Sequence, residues 1–317
     1  MPASMLFMLV LAQKLPCHTL TRSTHRFPTI SLWTLLIRDC RLDVVVAGGV
    51  QTMSKIPIGY AFGAAAPLGF PDAFTGSEAW FARFGAEEIS QFRGASMMAE
   101  KWGFSRVAME EFALESNNRA LRAQAEGRFD REIVPLNNVT KDETPRATSM
   151  EKMASLDPLP GYPLLTAAIS SQTCDASAAV LVVSEAAVKR YGLTPRARIH
   201  HMGVVGDDPV MMLSAPIPAT KRAIAKTGLK WDDLDVVECN EAFAPVPMAL
   251  LAETPIPHAK LNPNGGGISL GHPIGATGAR IMTTMLHELE RTGGRYGLQT
   301  MCEGGGTANV TVIERLG

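Results

Sequence analysis

An α/β fold of stacked layers is what this chain predicts, and three observations predict it. Strand-length apolar runs alternate with helix-length amphipathic runs through the second half. Hydrophobic residues make up 46% and charged residues 19%, enough for a substantial core. The 28 glycines and 21 prolines are spread along the chain, which marks many element ends rather than one disordered tract. At 317 residues the chain accommodates two domains, or one large α/β domain with an inserted subdomain.

The elements follow in order. Residues 43–50, DVVVAGGV, form a continuous β-branched run closed by a glycine pair, the pattern of a short buried strand. Pro57, Pro67 and Pro71 then mark loops, and helical patterns cover about 86–102 and 107–126. In the second of these, Met109, Phe112, Ala113, Ala120 and Leu121 share one face, Ser105 can cap the start and Gly127 ends it. Residues 137–163 are polar and aperiodic, so this middle region reads as a smaller inserted domain with long loops. The α/β rhythm returns with a strand at 178–183 and a helix from Ser184 to Gly192. A short strand at 197–200, a helix at 218–226 closed by Gly228 and a strand at 234–239 come next. Last are a helix at 274–289 striped by Ile274, Ile281, Met285 and Leu289, and strands at 298–302 and 307–313.

Charge excludes some functions. With 30 basic and 31 acidic residues the net charge is −1, which lacks the basic excess of a nucleic-acid or membrane-surface protein. An anionic ligand would be held by local groups. The five cysteines, Cys17, Cys40, Cys174, Cys239 and Cys302, are odd in number and form no CxxC, so neither a disulfide framework nor a structural zinc site is indicated. A reducing compartment suits them. The first 38 residues carry no acid, but do carry Lys14, Arg22, Arg26 and Arg38, and the apolar run at 5–12 is too short to span a bilayer.

Three segments place reactive groups at element ends. Asn240-Glu241-Ala242-Phe243-Ala244 follows the strand ending at Cys239; NPNGGGISLGHPIGATGAR (262–280) sets His272 just before a helix; Cys302-Glu303-Gly304-Gly305-Gly306 closes a strand. Ligands of open α/β sheets sit beyond strand ends, so the three loops are expected to be neighbours. Taken singly, each favours a bland role: a loop histidine, a small buried cysteine, turn glycines. The glycine run is neither a P-loop nor a GxGxxG fingerprint, and His272, Cys239 and Cys302 lack zinc spacing.

Together, these residues resemble the thiolase family. DVVVAGGVQTMS (43–54), NEAFAP (240–245), the GHP segment and CEGGG carry the resemblance, with weaker echoes in SSQTCDASAAVLVVSE (170–185) and EGRFDREIVP (126–135). It runs from about Arg41 to the C-terminus. It implies a five-layered αβαβα core of two similar halves, with an inserted loop domain covering coenzyme A and the first half incomplete. The implied divisions are 1–40 outside the match, 41–54 plus 166–185 as the remnant of the N-terminal half, 55–165 as the loop domain and 186–317 as the C-terminal half. The implied reaction passes an acyl group from a thioester to a cysteine, then to coenzyme A (thiolysis) or to the carbanion of acetyl-CoA (Claisen condensation).

The resemblance also implies roles. His272 would take a proton from the nucleophilic thiol and polarise the thioester oxygen. Cys302 would remove or return the α-proton of acetyl-CoA, and the backbone N–H of Gly304 would donate to a developing oxyanion. Asn240 would hold a water that donates to the enolate, and Ser171 stands where the family contacts coenzyme A. Coenzyme A and acyl-CoA are expected as substrates with no permanently bound cofactor or metal, no nucleic-acid or membrane partner, and a homodimer or homotetramer as the assembly.

The family's nucleophile sits in a Cys-Gly-x-Gly segment shortly before the DVVVAGG strand, and no such segment occurs here. Cys40 in RDCRLD and Cys17 in LPCHTL have no glycine behind them. The helix-to-CEGGG module of the second half spans 302 − 218 = 84 positions, whereas only 46 residues precede the equivalent Ala47. A start foreign to the fold therefore fits residues 1–40 better than a transit peptide, which would leave a cytoplasmic rather than an organellar location. Two expectations follow: a weakly stable chain with an under-covered first strand, and, as the alternative function, a non-catalytic acyl-CoA-binding or partner protein.

Overall fold

The computed structural model describes residues 6–9, 42–70 and 76–317. Cys17, Cys40 and most of the segment set apart above lie outside the described residues.

The described strands form one mixed sheet. They are β1 (Leu6–Leu9), β2 (Val44–Thr52), β3 (Asp175–Ser184), β4 (Ala197–Gly206), β5 (Leu234–Cys239), β6 (Tyr296–Glu303) and β7 (Thr307–Arg315). Their spatial order is β2-β3-β1-β4-β7-β6-β5. Only β5 and β6 pair in parallel; every other neighbouring pair is antiparallel. β2 and β3 pair over nine residues, from Val44↔Val183 to Thr52↔Asp175. β1 joins this pair to the C-terminal strands, with Phe7 opposite both Val183 and Arg198. Four residues of the stretch that the sequence sets outside the fold thus supply a strand between its two halves.

Helices cover both faces. α1 (Gln91–Lys101), α2 (Arg106–Ala125), α3 (Glu185–Tyr191), α4 (Pro216–Thr227), α5 (Pro245–Glu253) and α6 (Thr277–Thr292) are the main ones. Serines start the first three, as the sequence predicts for α2 and α3. Ser105 Oγ accepts from Ala108 N at 3.1 Å and Ser184 Oγ from Ala187 N at 3.1 Å, each satisfying an orphan first-turn donor. α6 lays Met282, Met285, Leu286 and Leu289 against Val45, Ala47, Val180, Val182, Val236 and Ile313. α4 packs Ala219, Ala223 and Ile224 into the opposite core with Val237, Val310 and Val312. Alternate residues of β5 and β7 therefore serve different cores, as the two-residue period of a strand requires.

Three readings are corrected. α6 begins at Thr277, not Ile274; Ile274 lies in the preceding turn, 44% exposed, while Ile281, Met285 and Leu289 hold the buried stripe. The helix near 86–102 is shorter (α1), and Glu78–Phe84 forms a separate helix capped by Ser77. β4 runs to Gly206, because the whole of it pairs with β7 through a bulge at Ile199/His201.

β2 is an edge of the described sheet. Its Val45 and Ala47 are buried, but Val44, Val46 and Val50 are exposed at 43%, 44% and 64%. The two faces of this region should respond differently to substitution. Leu286→Ala in the core should cost about 2–5 kcal/mol by urea denaturation. Val50→Thr should stay within about 0.5 kcal/mol. Equal losses would contradict the burial assigned to β2.

Candidate active site

The three reactive loops meet at one end of β5 and β6. Asn240 leaves β5, and its N–H donates to Thr300 O of β6 at 3.1 Å. Cys302 lies two residues further along β6, opposite Ala308 of β7, at the mouth of the Glu303–Thr307 turn. Gly304 stands exposed in that turn, and a Cβ built on it would meet no atom within 4 Å, so its backbone is open to approach. His272 arrives from the turn before α6, its N–H held by Gln172 O at 2.8 Å. Its Nε2 lies 3.4 Å from Asn240 Nδ2 and its Nδ1 lies 2.7 Å from Thr277 Oγ1. Asn240 is buried, and its Oδ1 has no partner among the described residues.

The segment bearing Ser171, just before β3, closes one side. Ser171 N–H donates to Ala242 O at 3.0 Å and Ser170 bridges Phe243, which seats the 170–172 segment on the NEAF loop. Gln172 then spans to the glycine-rich loop: its Nε2 donates to Ile268 O at 2.8 Å and its Oε1 accepts from Arg146 at 2.7 Å. Cys174 packs its Sγ against Gly271. Asn240 and His272 are thus in direct contact, Cys302 and Gly304 share the adjoining strand end, and Ser171 reaches the group through backbone.

A buried carboxylate that the sequence reading overlooked holds these loops together. Glu241 accepts from Ser116 Oγ of α2 at 2.7 Å, Asn262 Nδ2 at 2.8 Å and Ile268 N at 3.2 Å. The glycine run makes this possible, since a Cβ on Gly266 would overlap the Glu241 carboxylate. Asn262, at φ 45°, uses its amide as a strand mimic: Oδ1 accepts from Cys239 N and Nδ2 donates to Cys239 O, both at 2.9 Å. Gly49 of β2 meets Gly275 of the GHP turn backbone to backbone, with no room for a side chain. Nothing at sequence level paired Glu241 with its donors, but a carboxylate inside an otherwise small, apolar motif was the signal available.

Electrostatics separates two groups. Burial lowers His272 to about 4, so it is neutral at physiological pH. Burial raises Cys302 to about 12, so its thiol keeps its proton. A neutral base and a protonated acid at converging loops are the pattern expected of proton-transfer partners. Among the described residues no group of three or more His, Cys, Asp or Glu side chains could hold a metal ion, and no helix is long and apolar enough to cross a membrane.

The comparisons with known proteins agree with this geometry. The family model described as the thiolase N-terminal domain matches residues 5–186 and that of the thiolase C-terminal domain matches 193–315. The chain belongs to the thiolase family. The N-terminal match begins well before Arg41, the point from which the motifs carry the resemblance. The steroid 3-ketoacyl-CoA thiolase FadA6 of Mycobacterium tuberculosis is 56% identical over 291 residues, covering 90% of this chain and 72% of the relative. The beta-ketoadipyl-CoA thiolase of Pseudomonas aeruginosa is 38% identical over 296 residues, covering 87% and 73%. Human mitochondrial 3-ketoacyl-CoA thiolase, solved in complex with CoA, superposes with a TM-score of 0.79 at 31% identity, covering 91% of this chain and 75% of that one. The thiolase fold and a thiolase-type acyltransferase function stand on these matches.

Two measurements check the electrostatics. Alkylation of Cys302 by iodoacetamide should still be accelerating at about pH 10 in the ligand-free thiolase, because the thiolate is the nucleophile; a plateau near pH 8 would contradict it. Glu238, buried on β5 with Oε1 unpartnered, is raised well above the carboxylate range, first by desolvation and then by Glu241. The native state therefore keeps a proton that the unfolded chain has released, and stability falls as pH rises from the unfolded carboxyl value through the native one. Glu238→Gln should flatten that fall when urea midpoints are compared at about pH 5 and about pH 8; an unchanged slope would refute it.

Proposed function

We propose that this thiolase acts on coenzyme A thioesters of 3-keto acids, in the direction of thiolysis, with a bulky acyl group of steroid origin as its substrate class. The convergence of Asn240, His272 and the strand end bearing Cys302 and Gly304 carries the reading. In thiolysis the acetyl-CoA carbanion must receive a proton as the C–C bond breaks, and Cys302 rests as the protonated partner that can give it. His272 rests neutral, ready to take a proton from a thiol. Asn240, buried with a free carbonyl oxygen beside His272, suits the role of holding a water on the enolate oxygen. The open backbone at Gly304 suits an oxyanion donor. Ser171, seated on the NEAF loop, is assigned to coenzyme A, as the family resemblance implies. The steroid class rests on the 56% identity to FadA6, against 38% to the beta-ketoadipyl-CoA thiolase. A homodimer or homotetramer in a reducing, cytoplasmic setting completes the reading, on the resemblance and on the absence of a CxxC pair.

The sequence contains no Cys-Gly-x-Gly segment, so turnover is the decisive observation. Thiolysis of acetoacetyl-CoA and of a steroid side-chain 3-ketoacyl-CoA should be measured with coenzyme A, with Cys302→Ala as control. Turnover faster on the steroid substrate, and lost by at least about 100-fold in the variant, is the expected result. No turnover, with coenzyme A still bound, would replace this reading with that of an acyl-CoA-binding protein.

A further inference from the structure

We propose that Thr277 is a positioning residue that fixes His272 in the Nδ1–H tautomer, so that Nε2 carries the lone pair facing Asn240. The inference deepens the acyl-transfer reading and rests on it for its catalytic meaning, but its geometry stands independently.

Three contacts in series determine the assignment. Thr277 Oγ1 lies 2.9 Å from Pro273 O, a carbonyl that can only accept, and in the arrangement we assign the hydroxyl donates its one proton there. The same Oγ1 lies 2.7 Å from His272 Nδ1 and, with its proton on Pro273 O, accepts there from a protonated Nδ1. A neutral imidazole protonated at Nδ1 has its lone pair on Nε2. Asn240 Nδ2, a donor, lies 3.4 Å from that atom, which suits a lone pair there. The reverse tautomer would set two acceptors against each other at Nδ1 and two donors at Nε2. Thr277 is 1% exposed, so water does not compete for the hydroxyl.

The spacing has a structural origin. Thr277 is the first residue of α6, and its backbone N–H also bonds Pro273 O, at 2.9 Å. The turn from His272 to Thr277 therefore closes on one carbonyl, which returns the threonine hydroxyl to the histidine five residues before it. An approaching thiol then meets a single proton-accepting atom. Its S–H bond breaks, an N–H bond forms at Nε2, the sulfur keeps the electron pair, and the imidazolium that results stays anchored through Nδ1–H to Thr277.

Long-range 1H–15N correlation of protein labelled at its seven histidines tests this, with Asn- or Gln-substituted His272 identifying the signal. Nδ1 should report as the protonated nitrogen and Nε2 as the unprotonated one in the wild type and in Thr277→Ser. In Thr277→Val, which keeps the shape but not the acceptor, the population should shift toward the Nε2–H tautomer. In the thiolysis assay kcat should fall roughly 10- to 100-fold in Thr277→Val with KM within about twofold, and Thr277→Ser should restore most of it. An Nε2–H tautomer in the wild type, or an unchanged tautomer ratio in Thr277→Val, would overturn the proposal, including the case where that variant only loses thermal stability. Because the spectrum needs no turnover, an inactive wild type would sink the acyl-transfer reading while leaving the tautomer assignment decided.

Discussion

The buried carboxylate of Glu241 is the constraint on which the site depends. Desolvation penalises its charge, and the donors of Ser116 on helix α2 and of Asn262 and Ile268 on the glycine-rich segment offset that penalty where the chain leaves β5. Removing any one donor would leave a buried acceptor unsatisfied, so the three segments keep one arrangement. Asn240 precedes this carboxylate by one residue, and His272 follows Ile268 by four. Their contact at 3.4 Å is therefore a consequence of how the glutamate is satisfied.

The glycines around it are best understood as clearances. Gly266 lets backbone approach a carboxylate, and Gly49 lets β2 approach the GHP turn, so the first and second halves of the chain touch behind the histidine. Gly304 differs from both. It has empty space above it, which is where a ligand rather than the protein would fill the volume. The opposite displacement of His272 and Cys302 has one physical source, burial, acting on a base and an acid. At rest the site keeps its proton on sulfur and its lone pair on nitrogen.

Much of this was legible in the chain. β5 runs from Leu234 to Cys239 as its β-branched core indicates, and Ser105 and Ser184 cap their helices because local hydrogen bonding is written in adjacent residues. The convergence of the NEAF, GHP and CEGGG loops also followed from their places at element ends. What escaped were features set by tertiary partners. α5 was not read from the chain; it opens on Pro245 and Pro247, and at the first turn of a helix proline costs no hydrogen bond. α6 begins three residues later than its apolar stripe suggested, since Ile274 is apolar but sits in a turn. Glu241 was passed over because its donor Ser116 is 125 residues away in sequence. Leu6–Leu9 was set aside on composition, although four apolar residues suffice for a strand when two others flank it.

Amide hydrogen exchange in Glu241→Gln, compared with the wild type, tests the central claim most directly. The account predicts that protection across residues 266–272 falls by about tenfold or more while β5, β6 and β7 keep theirs, because the loop loses a charged acceptor and the sheet does not. Unchanged protection across 266–272 would show that the loops hold their places without the carboxylate, and would contradict it.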